Sequence, residues 1–121
     1  MKIEHTDFVS VQTRDVERAR VFYAELLSLP VSNTNPVGFE VETGNLTLGV
    51  INMESIGRSF EPSHSPIALR VPDVAAARAE LEEKGVEFFG ETMDSGVCRM
   101  AVFADPDGNV LMLHRRYAPY E

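Results

Sequence analysis

Histidine, arginine and acidic side chains on predicted strands are the groups in this 121-residue chain best suited to chemistry. His114 is a candidate general acid or base, because an imidazole titrates near neutrality. Arg70 carries a planar guanidinium that binds carboxylate or carbonyl oxygens in pairs. Glu40, between two apolar strand residues, is a weaker candidate for a base. These three are the candidate catalytic residues, and each is also compatible with an ordinary solvated strand position.

Composition limits the classes of protein to be considered. The single cysteine, Cys98, has no base near it in sequence, so a nucleophilic role lacks support. One cysteine cannot form an internal disulfide, which fits a reducing cytoplasm. The net charge of −8 argues against a nucleic-acid partner. No apolar run reaches the ~18 residues of a membrane span, so we predict a cytoplasmic protein without a membrane partner.

The chain contains a weak internal duplication. A shift of 58 residues aligns 8–20 with 66–78 and matches Asp15 with Asp73. A shift of 64 residues aligns 39–50 with 103–114 and matches the two Gly-Asn pairs at 44–45 and 108–109. Two matching blocks in the same order indicate two copies of one structural unit.

Each copy has the pattern of a strand, a helix and three further strands. Asp15 and Asp73 follow the first strand of each copy and can cap the helices, because a carboxylate accepts hydrogen bonds from free first-turn amides. The predicted strands are 8–13, 31–34, 37–43 and 45–52 in the first copy and 66–71, 86–90, 97–104 and 109–115 in the second. The sequence thus predicts an α+β fold of two βαβββ repeats, at about 1–52 and 66–121, with a linker at about 53–65.

This arrangement, with a Phe-Tyr pair at 22–23 and Asp-Pro-Asp-Gly-Asn at 105–109 before the last strand, resembles the vicinal oxygen chelate superfamily. That superfamily includes glyoxalases, extradiol dioxygenases and bleomycin-binding proteins. The resemblance covers nearly the whole chain and implies that each repeat curls a mixed sheet around a cavity. It also implies a homodimer. Closure of the cavity within one chain and closure across a dimer both stay open.

The resemblance implies where a catalytic metal would be bound. Members with metal-dependent activity hold a divalent ion through His, Gln or Glu on the first and last strands of each repeat. The corresponding positions here are Phe8, Leu48, Pro66 and Met112. None offers the oxygen or nitrogen donor that such an ion prefers. We therefore expect no divalent metal and no other cofactor.

Alternation along the strands then predicts which residues line the cavity. Side chains two residues apart on a strand face the same side of the sheet. The predicted ligand-binding residues are Phe8, Ser10, Gln12, Leu48, Ala68, Arg70, Met100, Met112 and His114. An apolar surface with a few polar groups is typical of a small-molecule site.

Three functions are consistent with the sequence. The first is a metal-free protein that binds a small organic ligand and sequesters a drug or metabolite. The second is a glyoxalase- or dioxygenase-like enzyme (a lyase, isomerase or oxidoreductase) with a divergent or metal-independent site built on His114, Arg70 or Glu40. The third is a regulatory or assembly partner in which the cavity has no ligand.

Overall fold

A computed structural model describes residues 1–120 and divides the chain into two compact units. The first unit is Met1–Pro62 and the second begins at Ser63, so the division falls inside the predicted linker at 53–65. Each unit contains one four-stranded mixed sheet and one main helical segment. The predicted α+β class is confirmed.

The first unit follows the predicted order of elements. Its sheet has the strand order β1-β4-β3-β2, with β1 parallel to β4 and the other pairs antiparallel. Asp15 caps the helix, where its Oδ1 accepts from the Arg18 amide at 3.0 Å. The elements are β1 (Phe8–Gln12), α1 (Val16–Arg20), which continues in π-helical turns over Val21–Leu26, β2 (Val31–Asn35), β3 (Gly38–Glu42), β4 (Thr47–Ile51) and a 3₁₀ turn over Met53–Ile56.

The helical segment of the first unit covers one face of its sheet. Phe22 and Tyr23 are buried there, and the Tyr23 ring lies 6.4 Å from the ring of Phe39. Val11 and Val50 are buried on the same face. The sheet face opposite the helix is called the open face below, and the same term is used for the second unit.

The second unit repeats the arrangement with one difference. Its sheet order is β5-β8-β7-β6, and Asp73 caps α2 through the Ala76 amide at 3.0 Å. The predicted strand at 86–90 is wrong: Phe88 forms one isolated bridge to Phe103, and the edge strand is only two residues long. The elements are β5 (Ile67–Arg70), α2 (Val74–Glu83), β6 (Met93–Asp94), β7 (Cys98–Ala104) and β8 (Val110–Arg116).

Packing explains the misassigned strand. The apolar alternation at Val86 and Phe88 reflects contact with the core, where the Phe88 ring lies 5.1 Å from that of Phe103. Val74 and Leu81 of α2 are buried over the same sheet face. None of the helices within residues 1–120 has the length and apolar character needed to cross a membrane.

Candidate functional site

Strand pairing fixes which residues share the open face of the first unit. Ser10 pairs with Gly49, and Gly49 pairs with Glu40, so one row of the sheet joins these three residues. Phe8 pairs with Thr47 in the neighbouring row. The Phe8 side chain is exposed, at 53% of its full accessible area. An exposed aromatic ring therefore lies on the open face, next to a row of small and polar residues.

The predicted position of Leu48 on the open face is wrong. Leu48 pairs with Val9 and Val41 on the helix-covered face and is 1% exposed. The cause is one additional residue in the first repeat: β4 begins three residues after Gly44, whereas β8 begins two residues after Gly108. A shift of one residue moves a side chain to the other face of a sheet.

The extra residue is Leu46, which is held in the turn before β4. Its carbonyl accepts from the Thr43 amide at 3.1 Å and from the Thr43 hydroxyl at 2.6 Å. The equivalent of Met112 in the first repeat is therefore Gly49, not Leu48. A Cβ at Gly49 would lie 3.6 Å from the Ser10 Cβ and 4.0 Å from the Phe8 Cδ2. Glycine thus leaves a small recess beside Phe8.

The positions that the resemblance assigns to a metal ion are therefore Phe8, Gly49, Pro66 and Met112. An aromatic ring, a hydrogen, a pyrrolidine ring and a thioether do not fit a hard divalent cation, which is bound by oxygen and nitrogen donors. In the part of the chain that the structure describes, no three His, Cys, Asp or Glu side chains converge.

Two carboxylates lie on the open face of the first unit, and sequence reasoning identified only one of them. Glu40 accepts from the Asn33 amide group at 3.0 Å. Glu42, two residues further on, accepts from the Ser32 hydroxyl at 2.5 Å and the Thr47 hydroxyl at 2.8 Å. The hydroxyl of Ser32, followed by that of Thr47, holds the pKa of the Glu42 carboxyl below its ordinary value. Glu42 is therefore anionic at neutral pH. In the sequence, its position two residues after Glu40 on the same strand is the signal that places it on the same face.

The predicted residues Ser10 and Gln12 differ in how freely they can meet a ligand. Ser10 is exposed on the open face. Gln12 is half-buried, and its Oε1 accepts from the Glu61 amide at 3.0 Å. Gln12 lies on the open face as predicted, and its side chain also holds the backbone at Glu61, which follows the 3₁₀ turn.

On the second unit the structure brings most of the predicted residues together. Ala68 pairs with Met112, and Met112 pairs with Val102. In the next row, Arg70 pairs with His114, and His114 pairs with Met100. All six residues therefore lie on one face, opposite the face that α2 covers. Cys98 and Arg116 form the row beyond.

This face is apolar at its centre and polar toward the ends of β5 and β8. Ala68 is exposed, and Val102 and Met112 are half-buried, whereas Leu111 and Leu113 on the opposite face are buried. Arg70 is exposed and His114 is half-buried. Apolar groups accessible to solvent beside two polar side chains can bind an organic molecule and orient it.

A separate cleft of about 260 Å³ opens at the start of α2 and contains none of the predicted ligand-binding residues. Arg99 and Arg115 pair across β7 and β8 on the helix-covered side of the sheet. The Tyr117 hydroxyl donates to Asp94 at 2.6 Å, which lowers the pKa of the Asp94 carboxyl and raises the pKa of Tyr117. The cleft is lined by Pro72, Asp73, Val74, Ala75, Arg99, Arg115 and Tyr117.

The pattern of the sequence matches a known family over most of its length. A model of the Glyoxalase/Bleomycin resistance protein/Dioxygenase superfamily matches residues 2–113. No curated protein matches the chain closely enough to count as a relative.

Solved structures with the same fold cover nearly the whole chain. TnmS3, an antibiotic binding protein from Streptomyces sp. CB03234, is 28% identical, with a TM-score of 0.76 over 96% of this chain and 98% of that one. A protein described as a glyoxalase family member from Bacillus anthracis has a TM-score of 0.80 at 20% identity, over 96% and 98% of the two chains. Lactoylglutathione lyase from Agrobacterium tumefaciens has a TM-score of 0.77 at 13% identity, over 93% and 94%. The last two similarities are similarities of fold alone.

Proposed function

Because this chain belongs to the glyoxalase/bleomycin resistance protein/dioxygenase superfamily, we propose that it binds a small organic molecule on its open faces without a divalent metal ion. Sequestration of a drug or metabolite is the biological role that follows. The similarity to an antibiotic binding protein at 28% identity supports this role over a purely structural one.

The observation that carries the proposal is the apolar centre of the open face on the second unit. Ala68, Val102 and Met112 form one row there and are accessible to solvent. Covering such a surface with an apolar guest gains about 25 cal/mol per Å² of area removed from water. Arg70 and His114, in the adjacent row, would then orient polar atoms of the guest.

The first unit offers a second contact surface of different character. Phe8 gives an exposed ring beside the recess at Gly49, and Glu40 and Glu42 lie on the same face. Aromatic rings attract cations through their faces, and carboxylates attract them by charge. This face favours a guest with an aromatic or aliphatic body and a positive charge.

An enzyme is the second candidate, and the pairing of Arg70 with His114 is the feature that favours it. A guanidinium can bind an oxyanion while a neighbouring imidazole transfers a proton to or from the same molecule. Such a reaction would use these two side chains and no bound metal. The enzyme would be supported if the protein converted a bound guest to product and the H114N variant bound that guest without converting it. That result would argue against simple sequestration.

We also propose that the protein forms a homodimer in the cytoplasm. Dimers with a two-fold axis are the commonest soluble oligomers, and a small unit gains buried area by pairing. Light scattering at micromolar concentration should give twice the mass of the 13.4 kDa chain. A single species at the mass of one chain would contradict this.

A thermal-shift screen in buffer containing a metal chelator tests guest binding. The panel contains planar aromatic cations, neutral aromatics and keto acids. A guest that binds only the folded state raises the melting temperature, and the rise grows with the logarithm of the ratio of guest concentration to dissociation constant. We expect aromatic cations to stabilise the protein most, and no stabilisation by any of the three classes would contradict the proposal.

A further inference from the structure

A row of soft donor atoms crosses the open face of the second unit. Met93 of β6 pairs with Met100 of β7, and Met100 pairs with His114 of β8. Directly opposed residues of an antiparallel pair have Cβ atoms ~5 Å apart and face the same side of the sheet. Three adjacent strands therefore align two thioethers and one imidazole.

The donors in this row are accessible. Met93 is 49% exposed, and Met100 and His114 are half-buried. The His114 imidazole has no hydrogen-bond partner among residues 1–120. Its nitrogen atoms are thus free to bind a ligand from solvent.

The chemistry of these donors selects a particular kind of ion. Thioether sulfur is a soft ligand that favours Cu(I), and imidazole also binds copper. A methionine side chain has three rotatable bonds and can adjust to bring its sulfur to a shared centre. We propose that Met93, Met100 and His114 form a binding site for a soft monovalent cation, Cu(I) or its redox-stable analogue Ag(I).

Neighbouring charges oppose the binding of a cation and provide a further test. Arg70 is the partner of His114 on the other side of the row, and it is exposed. Arg116 lies two residues beyond His114, where its guanidinium donates to the Pro119 carbonyl at 3.1 Å and stacks over the Tyr120 ring. Removing the charge of Arg70 in R70Q should therefore tighten the binding of Cu(I).

Cys98 requires a control, because a cysteine thiolate is itself a ligand for soft metals. Cys98 lies on the same face, one row from Met100 and opposite Arg116. All titrations are therefore made in the C98S background. The proposal requires that C98S still binds one equivalent of Cu(I).

Anaerobic titration of Cu(I) against a chromophoric chelator measures the affinity. In C98S, the changes M93L and M100L should each weaken binding by at least about tenfold, as expected when a ligand is lost. The matched control is M112L, since Met112 is on the same face but pairs with Val102 and Ala68 in the next row. M112L should stay within about twofold, because leucine conserves the volume of methionine.

NMR of ¹³C-labelled methionine methyl groups gives an independent result on the same protein. Ag(I) should shift the signals of Met93 and Met100 and leave that of Met53 unchanged. The proposal is overturned if C98S binds no Cu(I), or if M100L and M112L weaken binding equally. The guest screen is made with chelator and without Cu(I), so failure of the proposed function and failure of this site are separate outcomes.

Discussion

Asn109 and Asp105 form a buried polar pair at the turn before the last strand. The Asn109 Nδ2 donates to the Asp105 Oδ2 at 2.7 Å, and Asn109 Oδ1 accepts from the Ser63 amide at 2.8 Å. Asn109 is 0% and Asp105 is 5% exposed. This pair ties the start of the second unit to the turn that positions β8, and with it Met112 and His114.

We predict that N109A destabilises the protein by about 2 kcal/mol, because it leaves buried hydrogen-bonding groups without a partner. Asn45 provides the matched control from the first repeat, since it follows Gly44 as Asn109 follows Gly108 and is exposed. N45A should cost less than about 0.5 kcal/mol. Urea denaturation measures both, and equal losses would contradict the structural role of Asn109.

Two glycines of the first unit should differ in how much stability they lose on substitution by alanine. A Cβ at Gly38 would overlap the Val50 carbonyl oxygen, whereas a Cβ at Gly49 meets only ordinary contacts. We expect G38A to cost about 3 kcal/mol through overpacking. G49A should change stability by less than about 1 kcal/mol. A melt in which G49A is the more damaging change would contradict the predicted recess beside Phe8.

The corrected face of Leu48 can be tested by truncation. Leu48 is 1% exposed in the core, so L48A should cost about 3 kcal/mol. The 64-residue shift aligns Leu48 with Met112, which is half-buried on the open face of the second unit. M112A should therefore cost only about 1 kcal/mol. Denaturation midpoints of the two variants provide the comparison. Similar losses would favour the original alignment.

Glu42 should show the pH dependence of a carboxylate held by hydroxyl groups. Its pKa is lowered in the folded state, so the stability it contributes is present above the ordinary value of 4.5 and is lost as pH falls through the folded pKa. S32A removes the Ser32 hydroxyl, which is the larger cause of the lowered pKa, and should raise the Glu42 pKa toward 4.5. T47V removes the Thr47 hydroxyl and should raise this pKa by less. Carbon NMR titration of the carboxyl measures both. T34V, an exposed change on the same strand as Ser32, should leave it unchanged.

Much of the fold was predictable because its signals are local. Asp15 and Asp73 precede helices that they do cap. Alternation gave the correct face for Phe8, Ser10, Ala68 and Met112, since the predicted starts of their strands lie within one residue of the observed starts.

The features that the sequence did not predict depend on how distant strands pair, and apolar alternation within one strand carries no information about that pairing. Leu48 was misplaced because one extra turn residue, Leu46, separates Gly44 from β4. The row of Met93, Met100 and His114 depends on the register of β6, a strand of two residues that apolar periodicity cannot detect.

The most direct test is a binding titration of the best guest from the thermal screen into two matched variants. A68K places a positive charge in the apolar centre of the open face, at an exposed residue where a larger side chain does not disturb the core. A79K makes the same change on the exposed surface of α2. We predict that A68K weakens binding of an aromatic cation by at least about tenfold, through burial of a charge and repulsion of the cationic guest, while A79K binds as the unaltered protein does. Equal affinities of A68K and the unaltered protein would contradict guest binding on this face.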